Sequence, residues 1–126
     1  MRFILVDDDR LLCRKIRSAL EFEGHTLNCF HQIRDFLEHA AIDKSDVIIL
    51  DRMIRSPEEL KVNPDEHSGD ALFRKLRNDG ITNPVIFLSA LDKPPEVMRL
   101  SKAGQVALIV KPLLGSGQLL RTVEEL

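Results

Sequence analysis

A handful of residues in this chain are of the types that handle phosphate and divalent cations. Asp7, Asp8 and Asp9 follow the apolar run "FILV", and Asp51 follows "VIIL". Ser89 and Ala90 follow "VIFL", and Lys111 and Pro112 follow "VALIV". Crowded carboxylates push one another's pKa upward unless a cation sits among them. Mg2+ takes one or two carboxylates and completes its shell with water and phosphate oxygens. A carboxylate can also be the nucleophile that forms an aspartyl-phosphate. Phosphoryl transfer asks chiefly for positioning and charge neutralisation, which a cation, a lysine and a hydroxyl donor supply. Singly, each residue has an ordinary reading. Asp9 caps a helix, Asp7 and Asp8 are solvated turn acids, Asp51 is a strand-end turn residue, and Ser89 and Lys111 belong to the surface. Those readings leave unexplained why all of them fall at the ends of apolar runs.

The elements that must position these residues are legible from periodicity. Apolar runs at Phe3–Val6, Thr26–Phe30, Asp46–Leu50, Pro84–Leu88 and Val106–Val110 predict five strands. The first, third and fourth are almost wholly apolar, as in strands covered on both faces. Helical spacing lies between and after them. Its stripes are Leu12, Ile16, Ala19 and Leu20, then Ile33, Phe36, Leu37 and Ala40, then Leu72, Phe73 and Leu76. A fourth holds Val97, Met98 and Leu100 behind Pro94 and Pro95, and a last one Leu119, Leu120 and Val123. Gly24 and Gly80 are predicted stops. A (βα)5 order with right-handed crossovers gives a doubly wound parallel α/β sheet with helices on both faces. Such sheets bind ligands at the carboxyl ends of their strands, where the acids, Ser89 and Lys111 fall.

Composition narrows the function further. The 126 residues suit one domain, and 44% hydrophobic with 30% charged residues is ordinary for a globular chain. A net charge of −2 argues against direct nucleic-acid contact. No apolar run is long enough to span a membrane, and "MRFILVDDD" meets acids too early for a signal peptide. The domain is expected in the cytoplasm, with Cys13 and Cys29 as two reduced packing residues. His25, His31, His39 and His67 form no motif and are read as surface residues.

Together, "ILVDDD" at Ile4–Asp9, "VIILDRM" at Val47–Met53, "FLSAL" at Phe87–Leu91 and "AGQVALIVKP" at Ala103–Pro112 make the chain resemble a response-regulator receiver domain over essentially its whole length. The resemblance implies the strand order 2-1-3-4-5. It implies that Asp51 is the phosphoacceptor, served by a phosphohistidine on a partner histidine kinase or phosphotransfer protein. Asp8 would bind Mg2+ directly, Asp7 through water, Asp51 as a further ligand, and Met53 through its backbone carbonyl. Lys111, the Ser89 hydroxyl and the Ala90 N–H would receive the phosphate oxygens, and the Lys111–Pro112 bond would be cis. Ser89 and the residue at 108 would form the switch. The usual output surface would be a homodimer or effector contact through the predicted fourth helix, fifth strand and last helix, including Val97, Arg99, Lys102, Leu108 and Gln118.

The chain departs from the family pattern in three places. The switch position holds Leu108 where an aromatic is usual, and Arg55 stands where Pro is common. Gly69 lies 18 residues after Asp51, which implies an insertion of roughly eight to ten residues at about 55–66 in the loop after strand three. Within it, Ser56, Pro57 and Glu59 make a capping-box pattern that predicts a helical turn over Pro57–Lys61, with Glu58 and Lys61 at pairing distance. Ser68 is predicted to cap the next helix. The insertion reads either as surface decoration or as a lid beside Asp51, with Arg52 and Arg55 within reach of the phosphate. Two other function classes remain. A pseudo-receiver would work by protein contact alone. A haloacid-dehalogenase-like phosphatase would place a second acid where this chain has Met53.

Overall fold

The computed structural model describes residues 1–90, 105–112 and 116–126. Five parallel strands, β1 (Arg2–Val6), β2 (Thr26–Phe30), β3 (Val47–Asp51), β4 (Val85–Ser89) and β5 (Val106–Val110), lie in the order β2-β1-β3-β4-β5. The described helices are α1 (Arg10–Phe22), α2 (Ile33–His39), α3 (Ser68–Asn78) and α4 (Ser116–Glu125). The predicted helix around Val97, Met98 and Leu100 lies outside the described residues, as do Arg99 and Lys102. The third and fourth strands begin and end one residue later than their apolar runs predict, so Asp51 and Ser89 are themselves ladder residues.

The strand alternation sorts the core into two layers. Phe3, Leu5, Ile49, Ile86, Leu88 and Ile109 pack with Cys13, Ile16 and Leu20 of α1 and Leu119 of α4. Ile4, Val6, Ile48, Leu50 and Phe87 pack with Ile33 and Phe36 of α2 and Leu72, Phe73 and Leu76 of α3. Apart from Cys13, which lies outside the predicted first stripe, these helix residues are those of the predicted stripes. Asp9 caps α1, its carboxylate accepting from the Leu12 N–H at 3.0 Å. The helix stops where Gly24 takes φ 86°, a conformation that side chains with a Cβ rarely adopt.

Two expectations are overturned here. Cys13 of α1 and Cys29 of β2 are joined as a disulfide, not held as reduced packing residues; α1 packs beside β2, which brings the two within bonding distance. The histidines are not uniformly surface groups. His31 is half-buried with Nδ1 2.8 Å from the Asp7 carbonyl oxygen, and His25 meets the edge of the Phe3 ring and the chain's amino group. No described helix is long and apolar enough to cross a membrane.

Candidate functional site

The carboxyl ends of β1, β3 and β5 converge on one cluster. Asp7, Asp51 and Lys111 each follow by two residues a side chain of the α1/α4 layer, namely Leu5, Ile49 and Ile109. Alternation therefore sends all three toward the same side. Asp7, Asp8 and Asp51 each offer a carboxylate oxygen within 4.8 Å of the others. Asp7 and Asp51 are buried and Asp8 is exposed. The Lys111 ammonium donates to Asp7 Oδ2 at 3.2 Å and stands 3.6 Å from Asp51 Oδ1. Backbone amides complete the acids: the Asp9 N–H donates to Asp7 at 2.9 Å and the Met53 N–H to Asp51 at 3.2 Å.

Among the described residues this cluster is short of positive charge, because its three carboxylates share one ammonium. Burial pushes the Asp7 carboxyl up, and the Asp51 charge adds to it against the opposing Asp9 amide and Lys111. Burial pulls Lys111 down, but Asp7 and Asp51 outweigh it and its pKa is raised. A divalent cation would remove the strain. Three hard oxygen donors, open to solvent through Asp8, suit Mg2+ by their chemistry.

The remaining predicted residues are distributed around this cluster. Ser89 is fully buried at the end of β4, and Ala90 beside it is exposed. Ser89 follows Phe87 by two, so it belongs to the α2/α3 layer, across the sheet from Asp51. Leu108 is half-buried on that same layer. Met53 is exposed next to Asp51. The Lys111–Pro112 bond is cis.

A second polar group was not foreseen. Arg52, next to Asp51, turns to the other layer and is buried there. Its Nε and Nη2 grip both carboxylate oxygens of Asp70 at 3.0 and 3.1 Å, and Nη1 stands 3.4 Å from Ser89 Oγ. Arg55, in contrast, is exposed. The one sequence signal for this pair was an arginine two residues beyond a core leucine, at a position whose alternation points inward.

The β3–α3 connection also departs from expectation. No helical turn forms over Pro57–Lys61; a single reverse turn closes with the Leu60 N–H on the Pro57 carbonyl at 3.2 Å. Glu59, not Glu58, finds a cation, and it is Arg34 of α2 at 2.9 Å. Ser68 is the first residue of α3, not its cap, and its hydroxyl turns back to the Arg52 and Ile54 carbonyls. Burial outweighed the local capping pattern: Ile54 and Leu60 sit in the α2/α3 core, and Arg74 holds Glu66 and the Lys61 carbonyl. The connection thus rests on α2 and α3. At its end, a Cβ on Gly69 would meet the Asp51 carbonyl oxygen at 2.3 Å, so only glycine lets α3 approach β3 this closely.

Comparisons with known proteins agree with this architecture. The family model described as the response regulator receiver domain matches residues 3–124. The response regulator MprA of Mycobacterium ulcerans (strain Agy99) is 31% identical over 112 residues, covering 89% of this chain and 44% of that protein. The chain therefore spans less than half the length of the curated relatives it matches. Among solved structures, the response regulator StyR has a TM-score of 0.74 at 27% identity, over 98% of this chain and 57% of that one. A two-component response regulator from Clostridium difficile has a TM-score of 0.74 over 99% of this chain and 93% of that one, at 20% identity, a likeness of fold.

Proposed function

The chain belongs to the response regulator receiver domain family, and on that premise we propose that Asp51 is its phosphoacceptor. The single observation that carries this reading is the meeting of Asp7, Asp8 and Asp51 within 4.8 Å beside the Lys111 ammonium. In the transfer, an Asp51 carboxylate oxygen attacks the phosphorus of a phosphohistidine. The new O–P bond forms as the N–P bond breaks, and the electron pair leaves with the imidazole, which takes up a proton. Asp7, Asp8, Asp51 and the Met53 carbonyl would hold Mg2+, which when bound neutralises charge on the phosphoryl oxygens. Lys111 moves from its carboxylate partners to a phosphoryl oxygen, while the Ser89 hydroxyl and the Ala90 N–H complete the oxyanion contacts. The partner is a histidine kinase or phosphotransfer protein, met in the cytoplasm. The output is a change in contacts with an effector or a second copy.

The span at about 55–66 is, in this reading, an insertion within a single receiver domain of residues 1–126. Its seat on α2 and α3 favours a fixed rim over a hinged lid. Leu108, half-buried where the family usually carries an aromatic, favours the second reading, a receiver that acts by contact without phosphorylation. Incubation with Mg2+ and a small phosphodonor separates the two. A hydroxylamine-labile phosphoryl adduct that is absent in Asp51→Asn supports the phosphoacceptor, and no adduct supports the contact module.

A further inference from the structure

Arg52 and Asp70 form a pair whose side chains are only 6% and 7% exposed, at the end of β3 and the first turn of α3. Two parallel hydrogen bonds at 3.0 and 3.1 Å lock the guanidinium plane against the carboxylate. A fork held in this way has little rotational freedom, so the position of its third nitrogen is set too. That nitrogen, Nη1, stands 3.4 Å from the hydroxyl of Ser89. The backbone adds to the fixation, because the Gly69 N–H donates to the Arg52 carbonyl at 3.0 Å. Ser89 is thereby tethered in the α2/α3 layer, whereas the Asp51 carboxylate belongs to the other side of the sheet.

We propose that Arg52, clamped by Asp70, is a positioning residue that holds the Ser89 hydroxyl in its resting place and so sets how readily the domain adopts its phosphorylated form. The inference rests on Asp51 being the phosphoacceptor. A phosphoryl group on Asp51 draws the Ser89 hydroxyl toward it. The Arg52 contact opposes that movement, and its free energy is charged against the phosphorylated conformation. A contact made only in the resting state shifts the equilibrium by its own strength. The same contact ties Ser89 to the start of α3, giving the switch serine a polar connection to that helix.

The test is the affinity for beryllofluoride with Mg2+, a stand-in for the phosphoryl group, titrated by amide NMR. Replacing the whole pair, Arg52→Met with Asp70→Leu, removes the tether without leaving a buried charge. Arg52→Lys is the second variant, retaining charge opposite Asp70 while removing Nη1. Each is made with and without Ser89→Ala. Loss of one hydrogen bond specific to the resting state should tighten binding about three- to tenfold. The gain should vanish in the Ser89→Ala background, where a merely structural effect would persist. Unchanged or weaker binding, or a gain that survives Ser89→Ala, would overturn the inference while leaving the phosphoacceptor intact. A wild-type chain that binds no beryllofluoride would overturn both.

Discussion

Asp51 and Arg52 are neighbours in the chain, yet they face opposite layers of the sheet and sit in opposite kinds of electrostatic environment. On the α1/α4 side, Asp51 joins Asp7 and Asp8 beside Lys111, and burial drives the Asp7 carboxyl pKa upward. On the α2/α3 side, Arg52 is matched by one carboxylate in a bidentate grip, with Ser89 beside it. The first cluster gathers more acid than base among the described residues. The second pairs its charges and ties the end of β3 to α3. A single period-two step along the backbone separates a site kept under electrostatic strain from a pair that holds the fold.

The sharpest way to break that comparison is to remove a charge from each side. Asp70→Ala strands the Arg52 guanidinium in the core and should cost about 3–5 kcal/mol in urea unfolding; a loss below about 1 kcal/mol, the range of surface pairs, would show the pair to be solvated. Gly69→Ala drives a methyl group into the Asp51 carbonyl region, and the forced shift of β3 against α3 should cost about 1–3 kcal/mol. The same substitution should slow phosphorylation because it displaces Asp51. On the opposite side the sign reverses. Asp7→Asn at pH 7 in magnesium-free buffer relieves crowding and should raise stability by about 1 kcal/mol. Added Mg2+ should then stabilise the wild-type chain and not the variant. A drop in stability would mean that Lys111 fully compensates the acids.

The smallest effect lies on the β3–α3 connection. A hydrogen bond from Arg74 lowers the Glu66 carboxyl pKa. A carboxyl lowered in the folded state stabilises above its unfolded pKa, and that contribution fades as pH falls through the folded value. Glu66→Gln should therefore lower the melting temperature slightly at pH 7, with the gap to wild type closing in acid as pH falls below the ordinary glutamate range. A gap that persists in acid would point to packing in place of charge.

Much of this was legible in the sequence because it is local. Apolar runs specify strands, stripes specify buried helix faces, and Asp9 caps α1 through a neighbour three residues on. The acids, Ser89 and Lys111 were found because each ends a run, and parallel strands bring their carboxyl ends together. The Arg52–Asp70 pair was hidden because its partners are 18 residues apart and meet only where Gly69 allows close approach. The Cys13–Cys29 bond depends likewise on how α1 settles beside β2. Ser56, Pro57 and Glu59 satisfied a local rule for a helix start, and that rule lost to the burial of Ile54 and Leu60 in the α2/α3 core. Local patterns report what a segment can do alone, and tertiary burial decides what it does.

The most direct measurement is the intact mass of the protein after incubation with Mg2+ and acetyl phosphate, followed by peptide mapping of the modified residue. The account predicts one added phosphoryl group on Asp51, lost in Asp51→Asn and in the presence of excess chelator. An unmodified wild-type chain, or a phosphoryl group on any other residue, would contradict it.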